Sequence, residues 1–233
     1  MQSAISIGVL LLSYIIGSVP FGWLIVKLKT GKDIRIIESG RTGGTNALRA
    51  AGLAAGLLTA FMDILKGATA VWIAKAIFPE AHLLHVLAPI AAILGHNYSI
   101  FVPERNEQGR IVRLKGGAGG APAVGGAFGL WGPSIFIIVP LGAVIFFTLG
   151  IASITTMSVA FLAIVIFAIR AWLGFSPWMN VLYGVLAEIL LIWALRPNLK
   201  KLFAGEERIV RQSLHGRIKS KRDVQHPKHS NAV

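Results

Sequence analysis

The sequence contains no cysteine, which excludes disulfide bonds, thiolate catalysis and cysteine-ligated metal sites. It also lacks the Gly-x-Ser-x-Gly motif that carries the nucleophile of many serine hydrolases. No grouping of histidine and acidic residues has the spacing of a zinc or haem site, so we expect neither a metal nor a cofactor. A reaction catalysed by this chain would have to depend on binding, orientation and electrostatics.

Charged residues are also scarce, at 14% of the chain, whereas hydrophobic residues make up 55%. Several apolar windows reach the ~20 residues that a helix needs to cross ~30 Å of hydrocarbon. The sequence therefore predicts an all-α polytopic membrane protein with seven transmembrane helices. We place them near residues 3–26, 52–78, 83–103, 119–132, 134–151, 154–171 and 177–195.

Basic residues outnumber acidic ones by 23 to 10, and nearly all of them fall in residues 27–49, 104–118 and 196–233. Lys and Arg accumulate in cytoplasmic loops, so these three segments are predicted to be cytoplasmic. With seven spans, the N-terminus lies outside and the C-terminus lies in the cytoplasm. We therefore expect a multi-pass protein of the inner (plasma) membrane. The glycine-rich span 119–132 reaches only ~21 Å, but without it the basic C-terminus would lie outside.

The chain is predicted to form one transmembrane domain, residues 1–207, followed by a basic cytoplasmic tail, residues 208–233. The tail lacks apolar periodicity, and we expect it to be mobile or to lie on the membrane. A basic tail is also typical of nucleic-acid binding, but this one begins directly after a span. Attraction to anionic lipid is the simpler interpretation, so we expect membrane lipid and no nucleic acid as a partner. No feature of the sequence indicates an oligomeric state.

The most informative segment is residues 39–49, Ser-Gly-Arg-Thr-Gly-Gly-Thr-Asn-Ala-Leu-Arg, between two apolar segments. Glycines allow close approach of a backbone to a ligand, and free N–H groups and hydroxyls bind anions. Arg41 and Arg49 can add charge-assisted contacts to a phosphate. The alternative is a polar loop that carries topology charges.

Ionisable residues also occur within the predicted spans. Asp63 and Lys66 lie three residues apart and therefore share one helix face. Buried charge in a membrane usually faces protein or water, so they form either a structural ion pair or a cationic group near a bound anion. His96 and Asn97 end the third predicted span, where His96 is either a packing residue or part of a site.

A glycine cluster, Lys115-Gly-Gly-Ala-Gly-Gly-Ala-Pro122, follows the second basic segment. It is not a P-loop, because no Gly-Lys-Ser/Thr follows the glycines. It either exposes backbone donors to a phosphate or permits tight helix packing. After the last span, Asn198 and the residues to Glu207 form either part of a site or an interfacial helix that anchors the chain.

Taken together, these segments resemble the bacterial membrane glycerol-3-phosphate acyltransferases that use acyl phosphate as donor. The resemblance covers most of residues 10–207. Its motifs are Gly17-Ser-Val-Pro-Phe-Gly22, Gly31-Lys-Asp-Ile-Arg35, Ser39-Gly-x-x-Gly-x-Thr-Asn-x-x-Arg49, Asp63-x-x-Lys-Gly67, Gly95-His-Asn97, the glycine cluster, and Asn198-x-Lys with Gly205-x-Glu207.

The resemblance implies seven transmembrane helices and a cytoplasmic active site. Acyl phosphate and glycerol 3-phosphate would react there to give 1-acyl-glycerol 3-phosphate and inorganic phosphate. The residues implied as catalytic are Ser39, Arg49, Lys66, His96 and Asn198. Those implied as substrate-binding are Arg41, Gly43, Thr45, Asn46, Asn97, Lys115, Gly116, Gly117 and Gly119.

The chain also departs from the family pattern. Members usually carry Gly-Gly-Lys-Gly-Val-Ala-Thr in the glycine cluster, but Ala118 and Pro122 stand here in place of the lysine and the threonine. Leu195 replaces a histidine, Arg41 replaces an asparagine, and residues 102–114 look like an insertion. Three hypotheses follow: an active acyltransferase with a rearranged phosphate site, a homologue with another substrate, and a non-catalytic binding or regulatory paralogue.

Overall fold

A computed structural model describes residues 2–210 and 213–218 of the chain. These residues are mostly helical, and a short two-stranded hairpin interrupts them. The helices are α1 Gln2–Ser18, α2 Phe21–Thr30, α3 Gly44–Ala51, α4 Leu53–Ile77, α5 His82–Asn97, α6 Gly120–Leu130, α7 Ile135–Leu149, α8 Ala152–Trp172 and α9 Met179–Phe203. The strands are β1 Pro103–Arg105 and β2 Ile111–Leu114.

Five segments within the described ranges are long and apolar enough to cross a membrane. They are Gln2–Thr30, Leu53–Ile77, Gly132–Leu149, Ala152–Trp172 and Met179–Phe203. The other two predicted spans coincide with α5 and α6, which have only 16 and 11 residues. At 1.5 Å per residue, α6 is roughly 17 Å long, about half the thickness of the hydrocarbon core. The helical membrane architecture agrees with the prediction, whereas only five segments meet the length requirement.

The first predicted span, 3–26, is two helices rather than one. α1 ends at Ser18 and α2 begins at Phe21, with Val19 and Pro20 between them. Proline has no N–H to continue the helical ladder, and it disfavours helical backbone in the residue before it. At this break the carbonyl of Val19 accepts the backbone N–H of Phe21 at 3.1 Å and also a hydrogen bond from the Lys66 side chain at 3.1 Å.

The hairpin is an addition to the predicted helical fold, and it corrects the predicted end of the third span. α5 stops at Asn97 instead of residue 103, and strands β1 and β2 pair antiparallel. Pro103 opposes Leu114 and Glu104 opposes Arg113 in this pairing. The apolar run Ile100–Val102 looked helical in the sequence, but the proline after it cannot extend a helix.

α3 is a second element absent from the sequence prediction, which assigned no helix to residues 39–49. It begins directly after Gly43 and ends at Gly52, whose φ of 86° turns the chain into α4. α3 has eight residues, and Arg49 lies in its last turn, close to the start of α4. The position of Arg49 is therefore fixed relative to α4. The loop is therefore a structured part of the fold.

α4 and α6 pack in direct backbone contact. A Cβ atom at Gly67 would overlap the carbonyl of Pro122, and one at Gly125 would overlap the carbonyl of Ile64. Small residues that let helix backbones approach closely are typical of membrane helix pairs. This contact fixes the start of α6, and the glycine cluster before it, against the middle of α4.

The core that supports this pair lies among α5, α6, α8 and α9. Tyr183 of α9 is fully buried, donates to the carbonyl of Ala123 at 2.6 Å, and meets the ring of Phe167 edge to face at 6.4 Å. A buried tyrosine hydroxyl needs such a partner, so the contact also fixes the register of α9 against α6.

The chain after α9 returns to the bundle. The backbone N–H of Val210 donates to the carbonyl of Gly150 at 2.8 Å, and Ile209 forms a bridge with Ile151. Val210 is buried, and so is Ser213. The rest of the predicted tail, residues 211–212 and 219–233, lies outside the described residues.

Candidate active site

A cavity of about 1270 Å³ lies where the first loop and α3, the end of α5, the glycine cluster and the end of α9 converge. It continues between α4, α7 and α8. The described residues that line it include nine Lys or Arg and only three Asp or Glu. The polar end therefore carries a positive field that favours anionic ligands.

Arg41 links the first loop to both of the other polar segments. Its guanidinium donates to the carbonyl of Gly117 at 3.0 Å, to the carbonyl of Ala194 at 2.6 Å and to Oδ1 of Asn198 at 3.1 Å. Burial lowers the pKa of Arg41, and the neighbouring positive charge of Arg113 lowers it further. Arginine still remains charged under these conditions, so a cation is held at the junction of the three segments.

Asn198 continues this connection towards the C-terminus. Its amide nitrogen donates to Oε1 of Glu207 at 2.9 Å, while its oxygen accepts from Arg41. Nearby, Arg208 pairs with Glu38 of the first loop at 2.7 Å. The segment after α9 is thus fixed over the polar end of the cavity.

Arg49 lines the cavity and forms no ion pair within the described part of the chain. Burial lowers the pKa of its guanidinium, although Glu38 acts in the opposite direction. Thr45 and Ser39 line the same wall, Thr45 in the first turn of α3 and Ser39 on the exposed stretch before it. A half-buried arginine and two hydroxyls in the lining of one cavity are groups that can bind a phosphate.

The glycine cluster forms the opposite wall. The N–H of Gly117 donates to the carbonyl of His96 at 2.9 Å, and the carbonyl of Gly116 accepts from the N–H of Thr42 at 3.3 Å. Gly119 has a φ of 88°, which favours glycine, and α6 begins directly after it. The N–H of Ala123 bonds the carbonyl of Gly119 and Pro122 has no N–H, so Gly120 and Ala121, which line the cavity, are the residues whose N–H groups can meet a ligand at the positive end of this helix.

Two positions in this wall bear on its positive charge, Lys115 and Ala118. Lys115 lines the cavity but also pairs with Glu104 of the hairpin at 2.6 Å. Ala118, where a lysine was expected from the resemblance, lines the cavity with its methyl group. Arg41, which reaches the carbonyl next to Ala118, is the cation in hydrogen-bond contact with the cluster.

Asn46 and Asn97 are both buried, but their contacts differ. The amide of Asn46 donates to the carbonyls of Ile34, Ile37 and Arg41, at 3.2, 3.0 and 2.9 Å, which folds the first loop around it. Neither polar side-chain atom of Asn97 has a hydrogen-bond partner within the described residues. A buried unpaired amide at a cavity wall is a candidate ligand contact.

Asp63, Lys66 and His96 form a buried cluster behind the polar end. Lys66 Nζ lies 2.9 Å from Oδ1 of Asp63 and 2.8 Å from Nδ1 of His96. His96 lines the cavity, whereas Lys66 is not among the lining residues. The predicted ion pair is therefore present, with His96 standing between Lys66 and the cavity.

All the other residues implied by the resemblance line this one cavity. The sequence did not point to Glu38 or to Ser153 and Thr156 at the start of α8, which also line it. The positive φ of Glu38, 50°, has no signature in the sequence. The hydroxyl residues Ser153, Thr155 and Thr156 after Gly150 were the one sequence signal for site residues at the start of α8.

The apolar part of the cavity lies between α4, α7 and α8. α4 contributes Leu57, Ala60 and Ile64, which are three or four residues apart and so share one face. Ile138 and Phe146 of α7 line the opposite side. This part suits a hydrocarbon chain connected to a group held at the polar end.

Comparisons with known proteins agree with this geometry. A sequence model described as glycerol-3-phosphate acyltransferase matches residues 7–205. Glycerol-3-phosphate acyltransferase 3 of Dehalococcoides mccartyi (strain CBDB1) is 34% identical over 86% of this chain and 93% of its own. Glycerol-3-phosphate acyltransferase of Rhodopseudomonas palustris (strain HaA2) is 35% identical over 89% and 96%.

A solved structure is similar as well. A crystal structure of PlsY, an integral membrane glycerol 3-phosphate acyltransferase, in its glycerol 3-phosphate form, superposes with a TM-score of 0.75. It is 27% identical and covers 88% of this chain and 95% of its own. A second structure of PlsY, in its lysophosphatidic acid form, superposes with a TM-score of 0.73. The chain therefore belongs to the glycerol-3-phosphate acyltransferase family.

Proposed function

We propose that this protein transfers an acyl group from acyl phosphate to glycerol 3-phosphate, giving 1-acyl-glycerol 3-phosphate (lysophosphatidate) and inorganic phosphate. The observation that carries the proposal is one continuous cavity with a cationic polar end and an apolar arm between α4, α7 and α8. Both substrates carry a phosphate, and the donor also carries a long hydrocarbon chain. The relatives named glycerol-3-phosphate acyltransferase, which match 86% and 89% of the chain, support the acceptor substrate and the acyl transfer.

The first loop binds the phosphate of glycerol 3-phosphate in this proposal. Arg49 provides the charge, because it lines the cavity without an ion pair in the described part of the chain. Ser39 and Thr45 add hydroxyl donors, while Gly43 lets the backbone approach. Asn46 keeps the loop folded through its three carbonyl contacts.

The glycine cluster binds the acyl phosphate. Gly116, Gly117 and Gly119 let the cluster pack directly against His96 and Asn97, so that its backbone lines the cavity beside them. The N–H groups that open α6 stabilise negative charge. Lys115 and Arg41 supply the cations, and Asn198 holds Arg41 in place. His96 and Asn97 contact the bound group from α5, and Lys66 supports His96 from behind.

The reaction needs one bond to form and one to break. The C1 hydroxyl oxygen of glycerol 3-phosphate attacks the acyl carbonyl carbon, and the carbon–oxygen bond to the phosphate then breaks. The hydroxyl proton passes to the departing phosphate. The three carboxylates that line the cavity are already engaged, Asp63 by Lys66, Glu38 by Arg208 and Glu207 by Asn198. Orientation of the two phosphates supplies much of the rate, and the fixed donors stabilise the charge that develops on the carbonyl oxygen.

The arrangement in the membrane follows from the charge pattern. We propose seven spans, with α5 and α6 as the two short ones, an external N-terminus and a cytoplasmic C-terminus. Residues 1–207 form the catalytic domain and residues 208–233 a basic cytoplasmic tail. The site then faces the cytoplasm from the inner (plasma) membrane.

The decisive experiment is acyl transfer by the purified protein, in detergent or lipid, from palmitoyl phosphate to radiolabelled glycerol 3-phosphate. We expect labelled lysophosphatidate from the wild type and a loss of 100-fold or more in Arg49→Ala, because a charged phosphate contact is removed. Arg105→Ala is the matched control, since Arg105 lies on the hairpin and contacts the carbonyl of Gly109. Its turnover should equal that of the wild type.

Two results would contradict the proposal. Equal turnover in folded Arg49→Ala would remove Arg49 from the phosphate site. Binding of glycerol 3-phosphate without any lysophosphatidate would indicate a non-catalytic or altered-specificity relative. In that case Ala118→Lys, which restores the lysine usual in the family, is the next variant to assay.

A further inference from the structure

The surroundings of Lys66 determine which nitrogen of His96 carries a proton. Lys66 is 3% exposed, and its Nζ has three neighbours that can accept a hydrogen bond. These are Nδ1 of His96 at 2.8 Å, Oδ1 of Asp63 at 2.9 Å and the carbonyl of Val19 at 3.1 Å. An ammonium group has three N–H donors and no acceptor. Nζ hydrogen-bonds Nδ1 of His96 and the carbonyl of Val19, whereas Asp63 faces it as an ion pair without hydrogen-bond geometry.

Nδ1 of His96 must therefore act as an acceptor. It lies 3.6 Å from Oδ1 of Asp63, which is beyond hydrogen-bond distance, so it does not donate to that carboxylate. A neutral imidazole that accepts at Nδ1 carries its proton at Nε2, and a charged imidazole has no acceptor at all. The cluster thus selects one neutral tautomer of His96.

Nε2 lies on the side of the ring that faces the cavity. A Cβ atom at Gly117 would overlap Nε2, and one at Gly43 would lie 4.0 Å from it. Both glycines line the cavity, together with His96 itself. Nε2 makes no hydrogen bond within the described part of the chain, so its N–H stands between the two polar loops as an available donor.

We propose that Lys66, held by Asp63, is a positioning residue that locks His96 in the Nε2–H tautomer, and that His96 donates this hydrogen to a phosphate oxygen bound between the two loops. The inference rests on the proposed function and deepens it. His96 is then a permanent donor and not a proton acceptor in the reaction. Lys66 acts through His96 without touching the substrate.

Nitrogen-15 NMR of histidine-labelled protein tests the tautomer without any need for turnover. The His96 resonances are assigned by their disappearance in His96→Gln. We expect a protonated Nε2 and an unprotonated Nδ1 in the wild type, and a shift of the Nε2 resonance on adding glycerol 3-phosphate or inorganic phosphate. A protonated Nδ1 would overturn the inference even if acyl transfer is observed, and so would an Nε2 resonance that does not shift with either glycerol 3-phosphate or inorganic phosphate. The expected pattern in a protein without acyl transfer would leave the inference standing and remove only the proposed reaction.

Variants of the lysine separate positioning from folding. Lys66→Met should convert the single His96 tautomer into a mixture, and lower turnover about tenfold or more through the weakened donor. Because this variant leaves Asp63 buried and unpaired, Asp63→Asn/Lys66→Met is made beside it; removing both partners of a buried pair is often tolerated. Lys75→Met is the matched control, since Lys75 also lies in α4 but binds the carbonyls of Gly129 and Leu130. An unchanged His96 tautomer in a folded lysine variant would refute the positioning role.

Variants of the histidine test the donor. A glutamine amide nitrogen can stand near the position of Nε2, whereas an asparagine amide is too short to reach it. His96→Gln should therefore keep more turnover than His96→Asn, which should lose on the order of 100-fold. Equal losses in the two variants would contradict a donor at Nε2.

Discussion

At the scale of single residues, Arg41 joins parts of the chain that lie far apart in sequence. Its guanidinium bonds Gly117, Ala194 and Asn198, and the last two are 153 and 157 residues away. Arginine can bridge several acceptors because its five N–H donors lie in a planar fork, whereas lysine presents a single point charge. The residue thus holds the polar segments together and also supplies positive charge to the site.

The hydrogen bond between Asn198 and Glu207 gives a prediction that depends on which side chain is the donor. Asn198→Asp would place a carboxylate against Oε1 of Glu207, which now accepts a hydrogen bond at 2.9 Å. The repulsion should displace the segment after α9 and reduce acyl transfer by roughly 10-fold or more. Adding Glu207→Gln supplies an amide donor, so the double variant Asn198→Asp/Glu207→Gln should recover turnover. Failure to recover would mean that Glu207 does not act through Asn198.

A second prediction at this scale concerns the pH dependence of stability. The hydrogen bonds from Arg35 lower the pKa of Asp33 from 3.8 to about 2. Because the folded pKa is depressed, the stabilisation is present above pH 3.8 and is lost as the pH falls towards 2. Asp33→Asn should therefore unfold at a lower temperature than wild type near neutral pH. The difference between the two thermal midpoints should shrink over this acidic window; a constant difference would contradict an ionic origin.

The role of Lys66 was less predictable from sequence than that of its neighbours. Spacing places Asp63 and Lys66 on one face of a helix, and that pair is present. Spacing does not reveal which element that face meets. The position of Lys66 behind His96 depends on how α4 packs against α5 and on the break at Pro20, and both are tertiary facts.

At the scale of elements, apolar runs located the long helices because a span must satisfy its backbone internally and bury about 20 apolar residues. α3 and the hairpin were missed for the opposite reason. α3 has only eight residues, of which Thr45, Asn46 and Arg49 are polar, so it carries no long apolar signal, and its stability depends on packing against α4. The strands β1 and β2 have three and four residues, too few to show alternation.

The close approach of α4 and α6 gives a prediction about packing. Gly125→Ala would push a methyl group into the carbonyl of Ile64, and the helices would have to separate. We expect a loss of about 1–3 kcal/mol in the free energy of unfolding, measured by denaturation in detergent. Gly8→Ala is the matched control, because a Cβ atom at Gly8 meets no atom within 4 Å. Equal stability of both variants would contradict tight packing at Gly125.

At the scale of the whole molecule, the cavity joins a polar, cationic environment to an apolar one. Its polar end collects segments from the first loop, α5, α6 and α9, and its apolar arm runs between α4, α7 and α8. Sequence motifs indicated the polar end because its residues are chemically unusual in a membrane protein. The apolar arm was not predictable, since Leu57, Ile64 and Ile138 look like any lipid-facing residues until the helices are assembled.

The absence of cysteine allows a direct test of the proposed orientation. Gln108 in the hairpin and Glu80 before α5 are both exposed and lie at opposite ends of α5. Each is replaced by cysteine in turn, giving a chain with one thiol. A membrane-impermeant maleimide should label Glu80→Cys in intact cells and Gln108→Cys only after permeabilisation. The reverse pattern would invert the topology, and labelling of both in intact cells would contradict a crossing by α5.

The contacts of Arg41 also have a consequence for biosynthesis. Translation delivers the first loop early, whereas Ala194, Asn198 and Glu207 leave the ribosome more than 150 residues later. Until then Arg41 has no partner in α9, and the polar end stays open. The protein therefore becomes competent only when its last helix has inserted, and a nascent or prematurely terminated chain would occupy the membrane without a finished site.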